Sequence, residues 1–517
     1  MRLAPSKSRR KLCLKGNTEC VYVVNCLHPE LLSHIFILAQ EQQETDIAEE
    51  MAETEESEAS QFGEVTPIAE IVSQVSKRWR TVALDTANLW TKLDFSDEPP
   101  YHYSKLLLER SKGAPLDISL TMSAADNQTG IDAVMNLIVP KHSTRVTTLA
   151  IHAISFNQID WILSRFITDS DELPPLIDLS LYEENETGES VRVSVGPEHL
   201  PRLAILTDGI QRLSLAGVQL PWHSRAFSNL TLLRFGKNPS DVEGSRPSEE
   251  QFIRFLNSSP QLRLLSIRET GIVMDDPEHP ERCLRHPPIE MAALQTIELQ
   301  EVGWHEISFV LHIIRAPTLT ELSICSPESP EGHGLDAADD AVVSAIVKFL
   351  DTLVPKGDST STSPLEVLTL DAITEDELGS ERLSSMLAMV PRLRNLSLVD
   401  VAFDDTLLHQ MHGVWGLHFD QQEQRGNLCP HVTWLRISDV FDISDQAIYD
   451  CEQLTYSMHH FVEIYHCRSP VVSSRSRQGK PIATLKLIDI GGDDDNEIDM
   501  EKLEGRLRPF VDSELNS

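Results

Sequence analysis

A six-residue pattern recurs along most of this 517-residue chain, with apolar side chains at its first, fourth and sixth positions. The fourth and sixth residues of a strand share one face, and a single strand of this size cannot form a core. Stacking many such units buries that face, so the pattern predicts a repeat architecture. The windows are "VTTLAI" at Val146, "LIDLSL" at Leu176, "IQRLSL" at Ile210, "LTLLRF" at Leu230, "LRLLSI" at Leu262, "LQTIEL" at Leu294, "LTELSI" at Leu319, "LEVLTL" at Leu365, "LRNLSL" at Leu393, "VTWLRI" at Val432 and "IATLKL" at Ile482.

The segments between these windows are typical of helices. "SEEQFIRFLNSSP", "EISFVLHIIRAP" and "ERLSSMLAMVPR" are amphipathic and stop at a proline shortly before the next strand. Strands that alternate with helices at intervals of about 20 to 50 residues favour a parallel α/β array. The chain therefore resembles the leucine-rich-repeat family.

The ninth position of each unit departs from that family's pattern. The usual repeat has Asn or Cys there, whereas most units of this chain have an aliphatic residue and one has Asn. We therefore predict a degenerate leucine-rich-repeat solenoid of short parallel strands plus helices over residues 96–490, with an acidic tail over 491–517. The ninth-position residues are Ile154, Val218, Val302, Ile373, Val401, Val440 and the exception Asn238.

The first part of the chain has a helical period instead. Residues 1–20 form a basic tail that we expect to be disordered, and residues 21–95 read as a small all-α module. "CLHPELLSHIFILAQ" predicts one amphipathic helix, "TPIAEIVSQVSKRWRTVAL" a second, and "DTANLW" a short third, capped by Asp85. Between the first two, residues 41–64 contain ten acidic residues and no Lys or Arg, which predicts a flexible acidic loop.

Two stretches of this module, "LHPELLSHIF" and "VSQVSKRWRTVALDTANLW", resemble the two halves of an F-box, and the split form is most similar to fungal F-box-like proteins. The resemblance covers Leu27 to Trp90, although His28 occupies a position where the family usually has proline. It implies a three-helix module that binds the Skp-type adaptor of a cullin ubiquitin ligase. The residues implied to form the adaptor-facing surface, or its immediate support, are Leu27, Pro29, Leu32, Ile35, Phe36, Val75, Trp79 and Trp90. The alternative is that these side chains only pack the three helices together.

Outward-facing strand positions of the repeats are the predicted binding surface for a protein substrate. Trp434 and Arg436 are of the residue types that anchor interfaces, although Trp434 is equally consistent with an aromatic side chain that covers its neighbours. The predicted substrate-binding residues are Arg212, Arg263, Arg394, Trp434 and Arg436. Other predicted outward positions are Ser214, Ser266, Gln295, Glu298, Glu321, Ser323 and Asn395.

Charge and motif content exclude several functions. With 80 acidic and 44 basic residues the formal net charge is -36, which repels nucleic acid and anionic membranes. No stretch is apolar enough for a membrane span or a signal peptide, so we expect a cytoplasmic and/or nuclear protein with reduced cysteines.

"CEQLTYSMHHFVEIYHC" offers Cys451, His459, His460, His466 and Cys467, whose spacing fits ordinary packing better than zinc. We expect no cofactor, no metal and no enzymatic activity.

These observations predict a substrate-recognition adaptor of a cullin-type (Skp-cullin-F-box) ubiquitin ligase. The F-box-like module would dock the ligase core, and the repeats would bind a protein substrate that the sequence does not identify. The alternative is a leucine-rich-repeat scaffold that binds proteins without a link to a ligase.

Overall fold

The structure is a computed structural model with two compact units, Met1–Leu232 with Lys237–Ser245 and Leu233–Gly236 with Arg246–Ser517. It describes residues 27–53, 66–95, 99–122, 128–154, 156–169, 172–183, 209–218, 222, 227–237, 246–274, 286–325, 339–353, 363–373, 375–401, 407, 428–429, 431–432, 434–438 and 461–464. The predicted tails, the last repeat window at Ile482 and most of the Cys451–Cys467 segment lie outside these residues.

The first unit begins with a helical module. Its elements are α1 (Pro29–Glu53), α2 (Ile68–Val75), α3 (Lys77–Asp85) and a 3-10 turn, Ala87–Trp90. The predicted second helix is broken at Ser76, which adopts extended backbone (φ -158°, ψ 165°) and whose side chain accepts a hydrogen bond from the Trp79 N–H at 3.2 Å. The prediction that Asp85 caps the third helix is wrong, because Asp85 is the last residue of α3. The 3-10 turn follows Thr86.

The prediction of a flexible loop over residues 41–64 is wrong for its first half, because α1 continues to Glu53. Glutamate, glutamine, alanine and methionine are good helix formers, and this stretch has neither glycine nor proline. Tertiary contacts also hold it: the Gln43 side chain donates to the Thr66 carbonyl (3.1 Å) and accepts from the Ile68 N–H (3.2 Å), while Glu44 pairs with Lys92 at 2.6 Å. Gln43 thereby supplies the capping bond that α2 does not receive from its own preceding residue. Residues 54–64 lie outside the described part.

A parallel sheet follows the helical module in the first unit. Its described elements are β1 (Lys92–Leu93), α4 (His102–Arg110), β2 (Leu116–Thr121), α5 (Gln128–His142), β3 (Val146–Ala153), α6 (Phe156–Asp169), β4 (Asp178–Glu183) and β5 (Arg212–Ala216). The strands lie side by side in chain order, and each pairing is parallel.

The second unit repeats this arrangement, with the main-sheet strands again in chain order and parallel in every described register. A separate parallel pair joins Ile289–Glu290 to Ile314–Arg315. The elements are β6 (Leu232–Gly236, of which Leu232 belongs to the first unit), α7 (Glu249–Ser258), β7 (Leu264–Arg268), β8 (Ile289–Glu290), β9 (Thr296–Gln300), α8 (Trp304–Ile313), β10 (Ile314–Arg315), β11 (Glu321–Cys325), α9 (Asp339–Leu353), β12 (Val367–Ile373), α10 (Glu375–Ala388), β13 (Asn395–Val401), β14 (Trp434–Ser438) and β15 (Phe461–Ile464).

The predicted inward positions form the core of both units. In the second unit the fourth-position residues lie in one continuous register, from Leu265 through Ile297, Leu322, Leu368 and Leu396 to Leu435, and all are fully buried. This geometry confirms the predicted parallel α/β repeat, in which each strand buries its leucines against the neighbouring repeat.

The end of the repeat strand explains the departure at the ninth position. The eighth residue adopts a left-handed backbone in four units, at Gly217, Lys237, Glu269 and Glu301, with φ between +48° and +70°. The next residue is described in three of these units and is buried in each: Val218 and Val302 are fully buried, and Thr270 is 7% exposed. At Val218 and Val302, aliphatic packing thus occupies the place at which the usual repeat has a polar side chain.

Candidate functional site

The exposed apolar side chains of the described residues are concentrated on the first two helices. On α1, Leu31 is 56% exposed, Ile35 45% and Leu38 49%; on α2, Ile71 is 44% exposed and Val75 57%. On α1 these residues are four and three positions apart, and on α2 they are four positions apart, so each set lies on one side of its helix. The two helices pack against each other. We name these five residues the docking face. Elsewhere in the described chain, large exposed apolar residues are scattered singly, and such residues need no explanation.

A formed core lies beneath the docking face. Leu32 and Phe36 of α1 are buried, as are Ala69 and Val72 of α2. The Phe36 ring lies against that of Trp79, with centroids 5.0 Å apart at 51°. The module therefore has its own interior, and the docking face is additional to it.

Trp90 closes this interior from the other side. Its indole N–H donates to the Ala83 carbonyl at 2.8 Å, and the Arg110 guanidinium lies 4.4 Å from the ring centroid. The ring is almost completely buried. Trp90 is therefore a support residue and does not face a partner.

The predicted adaptor-binding residues divide accordingly. Ile35 and Val75 belong to the docking face, Pro29 is exposed at the start of α1, and Leu27 and Trp79 are partly exposed. The other three predicted residues, Leu32, Phe36 and Trp90, support the surface from below. The predicted set omits three docking-face residues, although they fall within the apolar period of the sequence: Leu31, Leu38 and Ile71.

The basic residues of α3 bond to main-chain carbonyls. Arg78 donates to the Leu27 carbonyl, and Arg80 donates from Nε to the Ser73 carbonyl at 2.8 Å. Leu27 precedes α1 and Ser73 lies in α2, so these two arginines tie α3 to both neighbouring helices. Lys77 is exposed at the start of α3.

The predicted substrate-binding residues are dispersed. Arg212 lies in the first unit and pairs with Asp178 at 2.7 Å, while the other four belong to the second unit. Arg263 precedes β7 and Arg394 precedes β13, with three strands between them, so they are about 19 Å apart at about 4.8 Å per strand. Arg436 is exposed on β14, and the side chain of Trp434 lies outside the described part.

Arg394 has a carboxylate partner as well, since its Nε lies 3.8 Å from Glu366. Ser266, predicted to face outward, is fully buried. The predicted arginines thus lie at separate points of the two units, and two of them, Arg212 and Arg394, are paired with carboxylates.

Reactive chemistry is not evident in the described residues. They contain no group of three or more His, Cys, Asp or Glu side chains placed to hold a metal ion. The Cys and His residues from Cys451 to Cys467, for which ordinary packing is predicted, lie outside them. Burial raises the pKa of the Cys325 and Cys429 thiols to about 12, so both are protonated at neutral pH. No described helix has the length and apolar content needed to cross a bilayer.

Comparison with known proteins identifies no family. No family model matches the chain, and no curated protein matches it. Among solved structures, the chain is similar to an internalin (inlF) from Listeria monocytogenes str. 4b F2365, at 14% sequence identity and a TM-score of 0.31, over 77% of this chain and 93% of that chain. The fold described above therefore rests on the strand order and register of this chain alone.

Proposed function

We propose that this chain is a substrate-recognition adaptor of a Skp-cullin-F-box ubiquitin ligase, in which the docking face binds the Skp-type adaptor and the leucine-rich repeats bind a protein substrate. The observation that carries the proposal is the coincidence of the docking face with the segment that resembles an F-box. All five of its residues, from Leu31 to Val75, lie within that segment.

The energetics favour a protein partner for this surface. Complete burial of one Leu, Ile or Val side chain contributes about 1.5–3 kcal/mol, and each docking-face side chain is already about half buried. A partner that covers the remainder gains about 1 kcal/mol per residue, or about 5 kcal/mol before the costs of association. Because the core beneath is complete, the module can present this surface before the partner binds.

The role of the chain in the ligase is to bring two proteins together. Binding both the ligase core and a substrate converts their encounter into an intramolecular one governed by effective concentration. The substrate-binding surface is proposed on the repeats because parallel repeat sheets present rows of outward side chains. The alternative, a protein-binding repeat scaffold without a ligase link, shares the repeats and differs only in the docking face.

Co-purification with the Skp-type adaptor from the same organism tests the proposal. We expect the full chain to form a one-to-one complex, and Ile35→Asp to abolish it because a buried unpaired carboxylate is costly. Trp79→Ala should weaken it by removing the ring that supports Phe36. Ile177→Asp is the matched control, since Ile177 is 38% exposed and lies on the repeats.

A folded full chain that forms no complex would rule out the ligase function and leave the scaffold. Equal loss of binding from Ile35→Asp and Ile177→Asp would show that the docking face is not the contact. Circular dichroism of each variant confirms that the helices and strands are retained.

A further inference from the structure

An open cleft lies between α7 and β8 in the second unit. Its volume is about 310 Å³, within the range of pockets that hold a ligand group. Ile253, Leu256 and Asn257 of α7 form one wall, and Ile289 and Glu290 of β8 form the other. The cleft belongs to the second unit, and the docking face belongs to the first.

Glu290 of β8, which lines the cleft, has free main-chain groups. β8 pairs in parallel with β10, with Glu290 opposite Arg315, and the Met291 N–H donates to the Arg315 carbonyl at 2.8 Å. In a parallel ladder alternate residues bond to the same neighbour, so Ile289 and Met291 face β10 and Glu290 faces the opposite edge. Within the described residues, the N–H and C=O of Glu290 have no hydrogen-bond partner.

The cleft combines apolar walls with acidic groups and acceptors. Ile253 and Ile289 supply half-buried aliphatic surface, and Glu290, which also lines the cleft, is exposed. The Asn257 Nδ2 donates to the Ile253 carbonyl at 2.9 Å, which leaves the amide oxygen as an acceptor. His286 lines the cleft as well, and its Nε2 lies 3.7 Å from the buried carboxylate of Glu249. This combination suits a long aliphatic side chain that ends in a cation.

We propose that this cleft binds an extended, basic segment of a partner protein, which adds a strand to the free edge of β8 and places an arginine or lysine side chain between α7 and β8. The segment bonds to the N–H and C=O of Glu290, and its cation binds the Glu290 carboxylate and the Asn257 amide oxygen. The formal net charge of -36 favours a basic partner over an acidic one.

Two neighbouring features are compatible with this binding mode. Arg315 pairs with Glu290 at 3.7 Å, but both side chains are about half exposed, so the pair is weak and a partner cation can replace Arg315. Pro287 and Pro288 precede β8 and have no N–H group, so the free edge offers a short binding register instead of a long one. A short edge interrupted by proline also resists pairing between copies of the chain.

Two labelled peptides test the inference with the full chain. Each has seven residues of alternating threonine and valine, with arginine at the centre of one and glutamate at the centre of the other. Fluorescence anisotropy should show that the arginine peptide binds at least about 10-fold more tightly. Hydrogen exchange at the Glu290 amide should slow when that peptide binds, because strand addition engages its N–H.

Variants separate the components of the site. Glu290→Gln keeps the N–H, so it should retain the slowed exchange and reduce the preference for arginine. Ile253→Arg fills the cleft with a cation and should abolish binding, whereas Arg254→Ala, on the same helix but outside the cleft, should leave affinity within about twofold. Equal affinity for both peptides, no binding of the arginine peptide, or unchanged exchange at Glu290 would each overturn the inference. Adaptor binding is measured on the same variants and should be unaffected, so a failure here is distinct from a failure of the ligase proposal.

Discussion

Replacing both Ile35 and Val75 by alanine should weaken binding of the Skp-type adaptor by about 30-fold. Ile35 is 45% exposed and Val75 57% exposed in the free chain. Since complete burial of such a side chain contributes about 1.5–3 kcal/mol, the half that a partner covers contributes about 1 kcal/mol in each case. The two losses sum to about 2 kcal/mol, which corresponds to about 30-fold in Kd. Isothermal titration calorimetry of the purified chain with the adaptor measures this change directly.

The control for this experiment is the double variant Leu106→Ala and Ile177→Ala. These residues are 37% and 38% exposed, so their truncation costs a similar amount of folding stability without touching the docking face. Both double variants should lower the melting temperature by similar amounts, because each loses the part of the side chain that is already buried. A Kd within about threefold of the unmodified chain for Ile35→Ala with Val75→Ala would refute the assignment of the docking face. The same would follow if the control weakened binding equally.

Four further predictions concern stability. Leu370→Ala removes a fully buried side chain from the repeat core and should cost about 2–5 kcal/mol, measured by urea denaturation; a cost below about 1 kcal/mol would contradict the burial. Glu301→Gly should raise stability by up to about 1 kcal/mol in the same assay, because a left-handed backbone (φ +52°) strains a residue with a side chain; a loss would show that the Glu301 side chain makes compensating contacts. Gln43→Ala should cost about 1 kcal/mol and speed hydrogen exchange in α2, because it removes the bond to the Ile68 N–H. Burial raises the pKa of Asp117 above 3.8, so the folded chain loses stability as pH rises from about 3.8 through the folded pKa; Asp117→Asn should therefore raise the melting temperature at neutral pH but not at about pH 3.

The repeat core could be predicted from the sequence because its signal is repeated. Leu368 and Leu370, for example, occupy the fourth and sixth positions of their window and are fully buried on β12, opposite Leu396 and Leu398 of β13. A single strand with an interrupted pattern gives no such signal. In β2, Pro115 occupies the place of the first apolar residue, and Leu116 takes its position opposite Val146 through a register shift. That shift shortens the window by one residue, which is why the repeat pattern does not predict β2.

Local chemistry accounts for the differences in the helical module. Ser76 has an ordinary place in the apolar period of "VSQVSKRW", yet its capping bond to Trp79 divides one predicted helix into two. The acidic composition of the stretch after Gln40 predicts a flexible loop. Helix propensity and the long-range bonds of Gln43 outweigh that charge up to Glu53, and the sequence gives no direct sign of contacts with residues more than 20 positions away.

The docking face is also visible in the sequence, but only as part of a wide arc of apolar residues around α1. The module buries one side of this arc and not the other. At about 100° per residue, Leu38, Leu31 and Ile35 span about 60° of the α1 surface, and Leu32 and Phe36 lie about 60–100° beyond Ile35. The structure buries the second set against α2 and α3 and leaves the first set exposed. A helix needs one apolar stripe to pack on its own module, so a second stripe predicts a second partner. The sequence contains both stripes, and only the packing of α2 and α3 determines which of them is left for that partner.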